Sequence, residues 1–272
     1  MTAPRSALEH PAVELTVVIT CYNEATLITD TLDHVAAALR QVGRSHEIIV
    51  IDDVSQDDSV KKIREYIQRH ADCPITLKVN ERNQGLANNH VDAAFLGRGK
   101  YYRLCCGDDS ESTESLVNVF SHVGKADMII PYQIQKQVVG KSAARKFASN
   151  LFTFLVNLIS GYDIRYYNGL AVHLRYNVMR WHPTSYGFGF QADIITRLLD
   201  EGASYLQVPA TSVDRKGKAS TALTLRNILS VGHTLVELTF RRVRKILYGR
   251  HIKPVEITLE AGSAARHSMS HA

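Results

Sequence analysis

Four short apolar runs recur in the first half of the chain: Glu14 to Thr20, His46 to Ile51, Ile75 to Val79 and Tyr101 to Cys106. As a set they lack the apolar–polar alternation of a sheet with one wet face. The stretches between them carry helical patterns. Ala25 to Leu39 repeats Leu27, Ile28, Leu32, Val35, Ala36 and Leu39 at helical spacing, with Gly43 beyond its end. Val60 to His70 and Gly85 to Leu96 read as two further helices. Buried strands separated by helices describe βαβ units, hence an α/β fold with a mostly parallel, Rossmann-like sheet covered on both faces.

Ligands of such sheets gather at the carboxyl ends of the strands. Polar clusters fall at three of those ends: Tyr22-Asn23-Glu24, Asp52-Asp53 and Asp108-Asp109. The last is the most telling, because the run Tyr102-Arg103-Leu104-Cys105-Cys106 stops at Gly107 and two adjacent acids, with Glu111 close behind. Carboxylates at the end of a buried strand are costly unless paired, and a hard divalent cation bridging a diphosphate is a suitable partner. A helix capped at Asp109 or Ser110, with Glu114 nearby, accounts for the same acids without a metal.

The remaining composition narrows the class. With 272 residues, 45% apolar and 22% charged, the chain is long enough for one large globular domain. Its net charge of +5 suits a protein that meets phosphates or an acidic membrane surface and does not demand nucleic acid. The four cysteines, Cys21, Cys73, Cys105 and Cys106, have no C-x-x-C spacing and read as reduced thiols of a cytoplasmic protein. Met1 to His10 has no signal pattern, and the longest apolar candidate, Leu151 to Ile159, is about half of the ~18 residues a span requires. The expected location is cytoplasmic, either soluble or peripheral on the inner face of a membrane.

Beyond Leu116 the pattern loosens. Asp127 to Pro131 and Ser204 to Val208 read as strands, Val138 to Ala144 as a loop, and Asp193 to Leu199 as a helix. Arg145 to Ile159 reads as a helix with Phe147, Leu151, Phe154, Leu155 and Leu158 on one side. Leu223 to Leu247 is a long helical stretch that carries Arg241-Arg242-Val243-Arg244-Lys245. That basic segment fits either an amphipathic helix on an anionic membrane or a surface helix packed on the domain. The expected organisation is a tail at 1–12, a main domain at 13–220, a basic helical segment at 221–253, and a disordered tail at 254–272. Nothing in the sequence indicates the oligomeric state.

Four segments, in order and at ordinary spacing, carry a family resemblance. Val17-Val18-Ile19-Thr20-Cys21-Tyr22-Asn23-Glu24, Asp52-Asp53-Val54-Ser55-Gln56-Asp57-Asp58-Ser59, Asn80 to Ala87 and Gly107-Asp108-Asp109 together resemble family 2 glycosyltransferases, whose fold is GT-A. Within that family the second half is similar to polyprenyl-phosphate synthases of the dolichol-phosphate-mannose type. Gly187 to Arg197, Gln207-Val208-Pro209 and Val213 to Ser220 resemble their later motifs, as do Arg145 with Asn150 and the turn Asn168-Gly169-Leu170. Two positions depart from the pattern. Gly107 stands where relatives carry the first Asp of Asp-x-Asp, and the Asn168 turn lacks the usual basic residue.

The resemblance implies an inverting, metal-dependent transferase using a UDP- or GDP-sugar, Mg2+ or Mn2+, and a polyprenyl phosphate or related lipid-linked acceptor. A soluble hydroxyl acceptor, or a non-catalytic nucleotide-sugar binder, remains open. Asp109 is the implied leading metal ligand, with Glu111 beside it and Asp108 on the metal or the ribose. Asp53 would accept from the base, Thr20, Tyr22 and Glu24 would line base and ribose, and Arg82 and Asn83 would border the base or lie in solvated loop. Arg145, Arg215 and Lys218 are implied phosphate ligands, with Arg215 the best match, and Asn168 lies on the acceptor side. Gln191 and Asp193 occupy the acceptor-side acid position. Asp193 would serve as general base for an alcohol, and would only position groups if the acceptor is already a phosphate.

Overall fold

A computed structural model describes residues 13–133, 143–182, 187, 189–211, 225–249 and 252–258. The first half forms as its periodicity predicts: β1 (Leu15–Cys21), α1 (Ile28–Val42), β2 (His46–Asp52), α2 (Ser59–Arg69), β3 (Ile75–Val79), α3 (Gly85–Leu96) and β4 (Tyr101–Cys106). Gly43 ends α1 in the left-handed region at φ 69°, and its N–H donates to Leu39. Next come α4 (Thr113–Phe120), β5 (Met128–Gln133), α5 (Ala143–Ser160), β6 (Val172–Leu174), α6 (Arg175–Met179), α7 (Phe190–Asp200), β7 (Ser204–Ala210), α8 (Leu225–Tyr248) and β8 (Val255–Glu256).

These strands form one mixed sheet in the order β3-β2-β1-β4-β6-β5-β7-β8. The β3-β2-β1-β4 half is parallel throughout. Strand β6 runs antiparallel to both β4 and β5, and β7 and β8 return to the parallel direction. Successive residues of one strand feed opposite cores. Val18, Ile49, Ile51 and Leu104 pack with Ala87, Ala93, Phe152, Val156 and Ile195 on one face. Val17, Ile19, Ile48, Val50 and Cys105 pack with Leu32, Val35, Ile63 and Leu116 on the other. Double coverage explains why β1, β2 and β4 read as unbroken apolar runs, whereas the edge strand β3 is only half buried.

Several expectations change. The acids after β4 do not cap a helix at Asp109 or Ser110; α4 starts at Thr113 and is capped by Ser112, whose hydroxyl accepts from the Ser115 N–H at 3.3 Å. The expected apolar side of α5 is not its buried side. Phe152 and Val156 enter the core, while Phe147, Leu151, Phe154 and Leu158 stay exposed. The tail expected from 254 begins with structure, since Glu256 lies on β8 and accepts from Gln207 Nε2 at 2.9 Å and Tyr205 Oη at 3.2 Å. A two-residue strand is too short to leave a periodic signal. The expected tail at 1–12 and most of the loop at 138–144 lie outside the described residues.

The thiols are free. Burial pushes Cys21 up to about 11 and Cys105 up to about 12, so neither ionises at neutral pH.

Candidate active site

The strand order sets the carboxyl ends of β2, β1 and β4 side by side, and strain collects there. Only three described non-glycine residues have positive φ, and each follows one of these strands: Asn23 (55°), Val54 (68°) and Asp109 (52°). A β-branched valine in this region is particularly unfavourable, and such conformations cost about 1–3 kcal/mol apiece. The surrounding hydrogen bonds hold them in place.

Most of those bonds come from the Asp52 to Ser59 segment. Asp53 N–H donates to the Cys21 carbonyl at 2.8 Å, and Ser55 N–H to Asp52 Oδ1 at 2.9 Å. Ser55 Oγ accepts from Asn23 N–H at 2.9 Å, and Asn23 Oδ1 accepts in return from Gln56 N–H at 2.7 Å. Ser59 Oγ accepts from Glu24 N–H at 3.0 Å, and Asp57 takes the Ala25 N–H at 3.0 Å and the Ser59 hydroxyl at 2.5 Å. Burial alone would raise the Asp57 carboxyl, but the bonds from Ser59 and Ala25 outweigh it and hold the group below its ordinary value. The serines and Asp57 of the motif therefore staple two turns together. Tyr22 stands beside them, 52% exposed, and Glu24 lies buried at the start of the α1 turn.

Asp53 has a similar structural use. Its Oδ1 accepts from Asn80 Nδ2 at 2.8 Å and Gln84 N–H at 2.9 Å, and its Oδ2 from Gly85 N–H at 2.9 Å. Asn83 Nδ2 reaches the Asp53 carbonyl at 3.2 Å. This one carboxylate anchors the loop from β3 to α3 across the strand ends, and three donors leave room for a fourth on its lone pairs. Thr20 lies at the end of β1, with its hydroxyl 3.4 Å from the Cys105 carbonyl.

The turn after β4 explains the missing acid. Gly107 N–H donates to the Thr20 carbonyl at 2.8 Å, and a Cβ at 107 would come within 2.9 Å of that oxygen and of Ile28 Cδ1. No side chain fits there without displacement. The three acids that follow diverge. Asp109 turns toward α1, where Oδ1 meets His34 Nδ1 at 2.8 Å and its N–H donates to Thr31 Oγ1 at 2.9 Å. Glu111 takes the guanidinium of Arg103 at 2.5 Å. Asp109 and Glu111, expected together on a metal, thus meet different side chains of the protein, His34 and Arg103. Oδ1 of Asp108 is buried and accepts no hydrogen bond from the described residues, although the residue has other partners.

Arg103 is the site residue that the sequence reading passed over. It is fully buried in β4, donates from Nε to the Leu170 carbonyl at 3.1 Å, and lies over the Phe120 ring. It thus ties the acidic turn to the segment after Asn168. Its signal was present as a lone cation inside an apolar strand. A buried guanidinium needs a partner, and Glu111 is eight residues away. Gly169 packs so closely that an added Cβ would meet the Pro131 carbonyl at 2.2 Å, which fixes the Asn168 turn against β5.

The acceptor-side expectations fare differently. Asp193 is buried, with Oδ2 accepting from Trp181 Nε1 at 3.1 Å and Oδ1 from Arg197 at 2.9 Å and Arg241 at 2.6 Å. It is bound into an ion-pair network between α7 and α8. Gln191 is buried too, and its amide finds no hydrogen-bond partner among the described residues. Beside this region the fully buried His90 and His173 stack edge to face, 6.0 Å between centroids. Burial holds His90 well below its ordinary value and takes His173 down to about 4, so both are neutral at pH 7. Arg215 and Lys218 lie outside the described residues, and so does the side chain of Arg145 on α5.

A divalent cation fits the oxygen donors of this rim, since the carboxylates after β4 are hard ligands. No cluster of three or more His, Cys, Asp or Glu side chains gathers among the described residues.

Comparison with known proteins agrees with the fold. The mannosyltransferase of Pyrobaculum calidifontis, solved with GDP-Man and Mn2+, superposes with a TM-score of 0.62 at 18% identity, over 85% of this chain and 64% of that one. Glucosyl-3-phosphoglycerate synthase of Mycobacterium tuberculosis, solved with Mn2+, UDP and glucosyl-3-phosphoglycerate, gives 0.60 at 14% identity, over 85% and 80%. In sequence, the dolichyl-phosphate beta-glucosyltransferase of Dictyostelium discoideum is 24% identical over 152 residues, 52% of this chain and 46% of that protein. The chain thus spans less than half the length of that relative. The mixed sheet is the GT-A fold. The model of the family described as "Glycosyl transferase family 2" matches residues 16–168, more than half of the sequence, and the chain belongs to that family.

Proposed function

We propose that this protein transfers a sugar from a UDP- or GDP-sugar to a polyprenyl phosphate or related lipid-linked acceptor, with Mg2+ or Mn2+ and with inversion at the anomeric carbon. The observation that carries the reading is the group of three left-handed non-glycine residues, Asn23, Val54 and Asp109, at the ends of three adjacent parallel strands. Strain of this kind persists where a site needs it, and here it frames the carboxylates of Asp53 and Asp108.

Asp108 is the residue we assign to the cation, from its place directly after β4 on the strand-end rim; Asp109 and Glu111 beside it meet His34 and Arg103. A bound cation would neutralise charge on the departing nucleoside diphosphate. Asp53 keeps the Asn80 to Gly85 loop in place beside the base, and its remaining lone pair can accept a ring N–H. Tyr22, exposed at the mouth, offers a ring face to the base or ribose. Thr20, Glu24 and Asn83 line the same rim. Arg103 holds the acidic turn and the Asn168 turn at a fixed separation, so the donor and acceptor sides share one rigid strand.

The lipid-phosphate acceptor is supported by Asp193. A hydroxyl acceptor needs a general base, but Asp193 already accepts from Trp181, Arg197 and Arg241. A phosphate acceptor is a nucleophile without deprotonation, and Asp193 then acts as a positioning residue. The dolichyl-phosphate relative points the same way. Arg145, Arg215 and Lys218 are the basic residues we assign to phosphate. A soluble acceptor is the second reading, favoured by the phosphoglycerate-derived ligand of the mycobacterial neighbour.

The test offers the purified protein UDP- and GDP-sugars with Mn2+ and either a polyprenyl phosphate in detergent or a panel of soluble alcohols and sugars. Sugar appearing on the lipid phosphate is the expected result. Transfer only to a soluble hydroxyl would replace the acceptor assignment, and binding without any transfer or hydrolysis would leave a nucleotide-sugar binder.

A further inference from the structure

Helix α8 has its polarity inside out. Arg241 and Lys245 face the protein, at 2.6 Å from Asp193 and Asp200 respectively, alongside buried Thr234 and Leu238. The opposite side presents Leu229, Val236, Phe240, Val243 and Leu247, spaced by seven, four, three and four residues, all roughly half exposed or more. Its neighbour α5 repeats the arrangement. Phe152 and Val156 are buried, and Phe147, Leu151, Phe154 and Leu158, spaced by four, three and four, stand outside with Phe147 69% and Leu158 68% exposed. Two helices packed on each other therefore both turn an apolar stripe away from the domain. Contiguous apolar surface of this kind marks an interaction face.

The charge around the stripes identifies what covers them. Arg241 and Lys245 are taken up by Asp193 and Asp200, and the other described basic side chains of the two helices are Lys146, Arg242 and Arg244, against one acid, Glu237. A second copy of this chain related by a two-fold axis would set this basic face against itself, which is unfavourable. A bilayer with anionic headgroups satisfies both features, taking the apolar side chains below the headgroups and the basic ones among them. Lys146, Arg242 and Arg244 flank the stripes and keep contact with solvent. No helix among the described residues is long and apolar enough to cross a membrane.

We propose that the outward faces of α5 and α8 form a single docking surface for an anionic lipid bilayer, with Phe147, Phe154, Phe240 and Leu247 as the inserted anchors. The proposal does not depend on the identity of the sugar acceptor.

The experiment is sedimentation of the full chain with vesicles of phosphatidylcholine alone or enriched in phosphatidylglycerol, neither containing polyprenyl phosphate. Binding to the phosphatidylglycerol vesicles is expected, weaker on phosphatidylcholine and weakened by salt. The double variant Phe154→Glu/Phe240→Glu is expected to lose at least about tenfold in partitioning, given what burying even one phenylalanine contributes. Its melting temperature is expected to be unchanged, because both positions are already exposed. Wild-type protein that ignores anionic vesicles overturns the proposal, as does a double variant that binds them as tightly. Light scattering supplies the remaining outcome: a dimer that the double variant converts to monomers would assign the face to a second copy and overturn the lipid assignment.

Discussion

The two halves of the sheet are held by opposite uses of polarity. From β3 to β4, apolar strands are buried and polar side chains collect at the strand ends, where Ser55, Asp57, Ser59 and Asp53 tie backbone to backbone. From β6 to β8, charge moves inward: Arg241, Lys245 and Arg197 are paired with Asp193 and Asp200, and the apolar stripes of α5 and α8 look outward. Arg103 joins the halves at β4, reaching Glu111 on one side and Leu170 on the other. A site built on the first half can be strained and exact, because numerous hydrogen bonds cross between its strand ends. The second half is arranged to meet something that covers it.

Loss of the cation ligand should break the donor half most severely. Asp108→Asn is expected to lower divalent-dependent turnover by on the order of 10²–10³-fold, since a metal supplies several kcal/mol of leaving-group stabilisation. Asp109→Asn, whose carboxylate faces His34, is expected to cost only about tenfold, in the range of groups that support a metal from behind. Steady-state rates of nucleotide-sugar cleavage rank the two, and the reverse order would return the metal to Asp109.

The junction is tested by stability. Glu111→Gln leaves the buried guanidinium of Arg103 without its counter-charge and should destabilise the protein by about 3–5 kcal/mol. Urea unfolding of the variant measures it; a loss below about 1 kcal/mol would mean that the pair does not clamp the two halves.

Acid tests the seam between the halves, where His90 of α3 meets His173 of β6. His90 and His173 are neutral in the fold and have depressed values there, about 4 for His173, so the unfolded chain binds more protons once the pH falls below the ordinary histidine value, near 6.5. Stability is therefore full above pH 6.5 and falls as the pH drops toward 4, by up to about 1.4 kcal/mol per pH unit for each histidine. Denaturation midpoints at a series of pH values give the slope, and replacing His173 with an apolar residue should flatten it.

The smallest effect concerns strain. Val54→Gly at φ 68° should stabilise the protein by about 1 kcal/mol while lowering turnover, because glycine relaxes a conformation the site requires. Paired melting and rate measurements check both signs.

Much of this division was legible in the residues. The strands β1, β2 and β4 and the helices α1 to α3 followed from apolar runs and helical spacing, because burial on both faces of a parallel sheet leaves that imprint. The positions of Asn23, Asp53 and Asp108 at strand ends followed as well. What spacing could not reveal was direction. Glu111 and Asp109 lie beside Asp108 in sequence, yet Arg103 and His34 draw them elsewhere. The stripe of Phe147, Leu151, Phe154 and Leu158 was correctly found on one side of α5, but periodicity does not say whether a stripe faces the core or the outside. Short elements such as β6 and β8 exist through pairing with β4, β5 and β7 rather than through any local pattern.

The central claim is that a cation on Asp108 and a nucleoside diphosphate complete one site at the strand ends. Its most direct test is the melting temperature of wild type and Asp108→Asn with UDP or GDP, each with and without Mn2+. A rise that needs both nucleotide and Mn2+, and that disappears in the variant, is the predicted result. A nucleotide shift independent of Mn2+, or one that Asp108→Asn leaves intact, would contradict it.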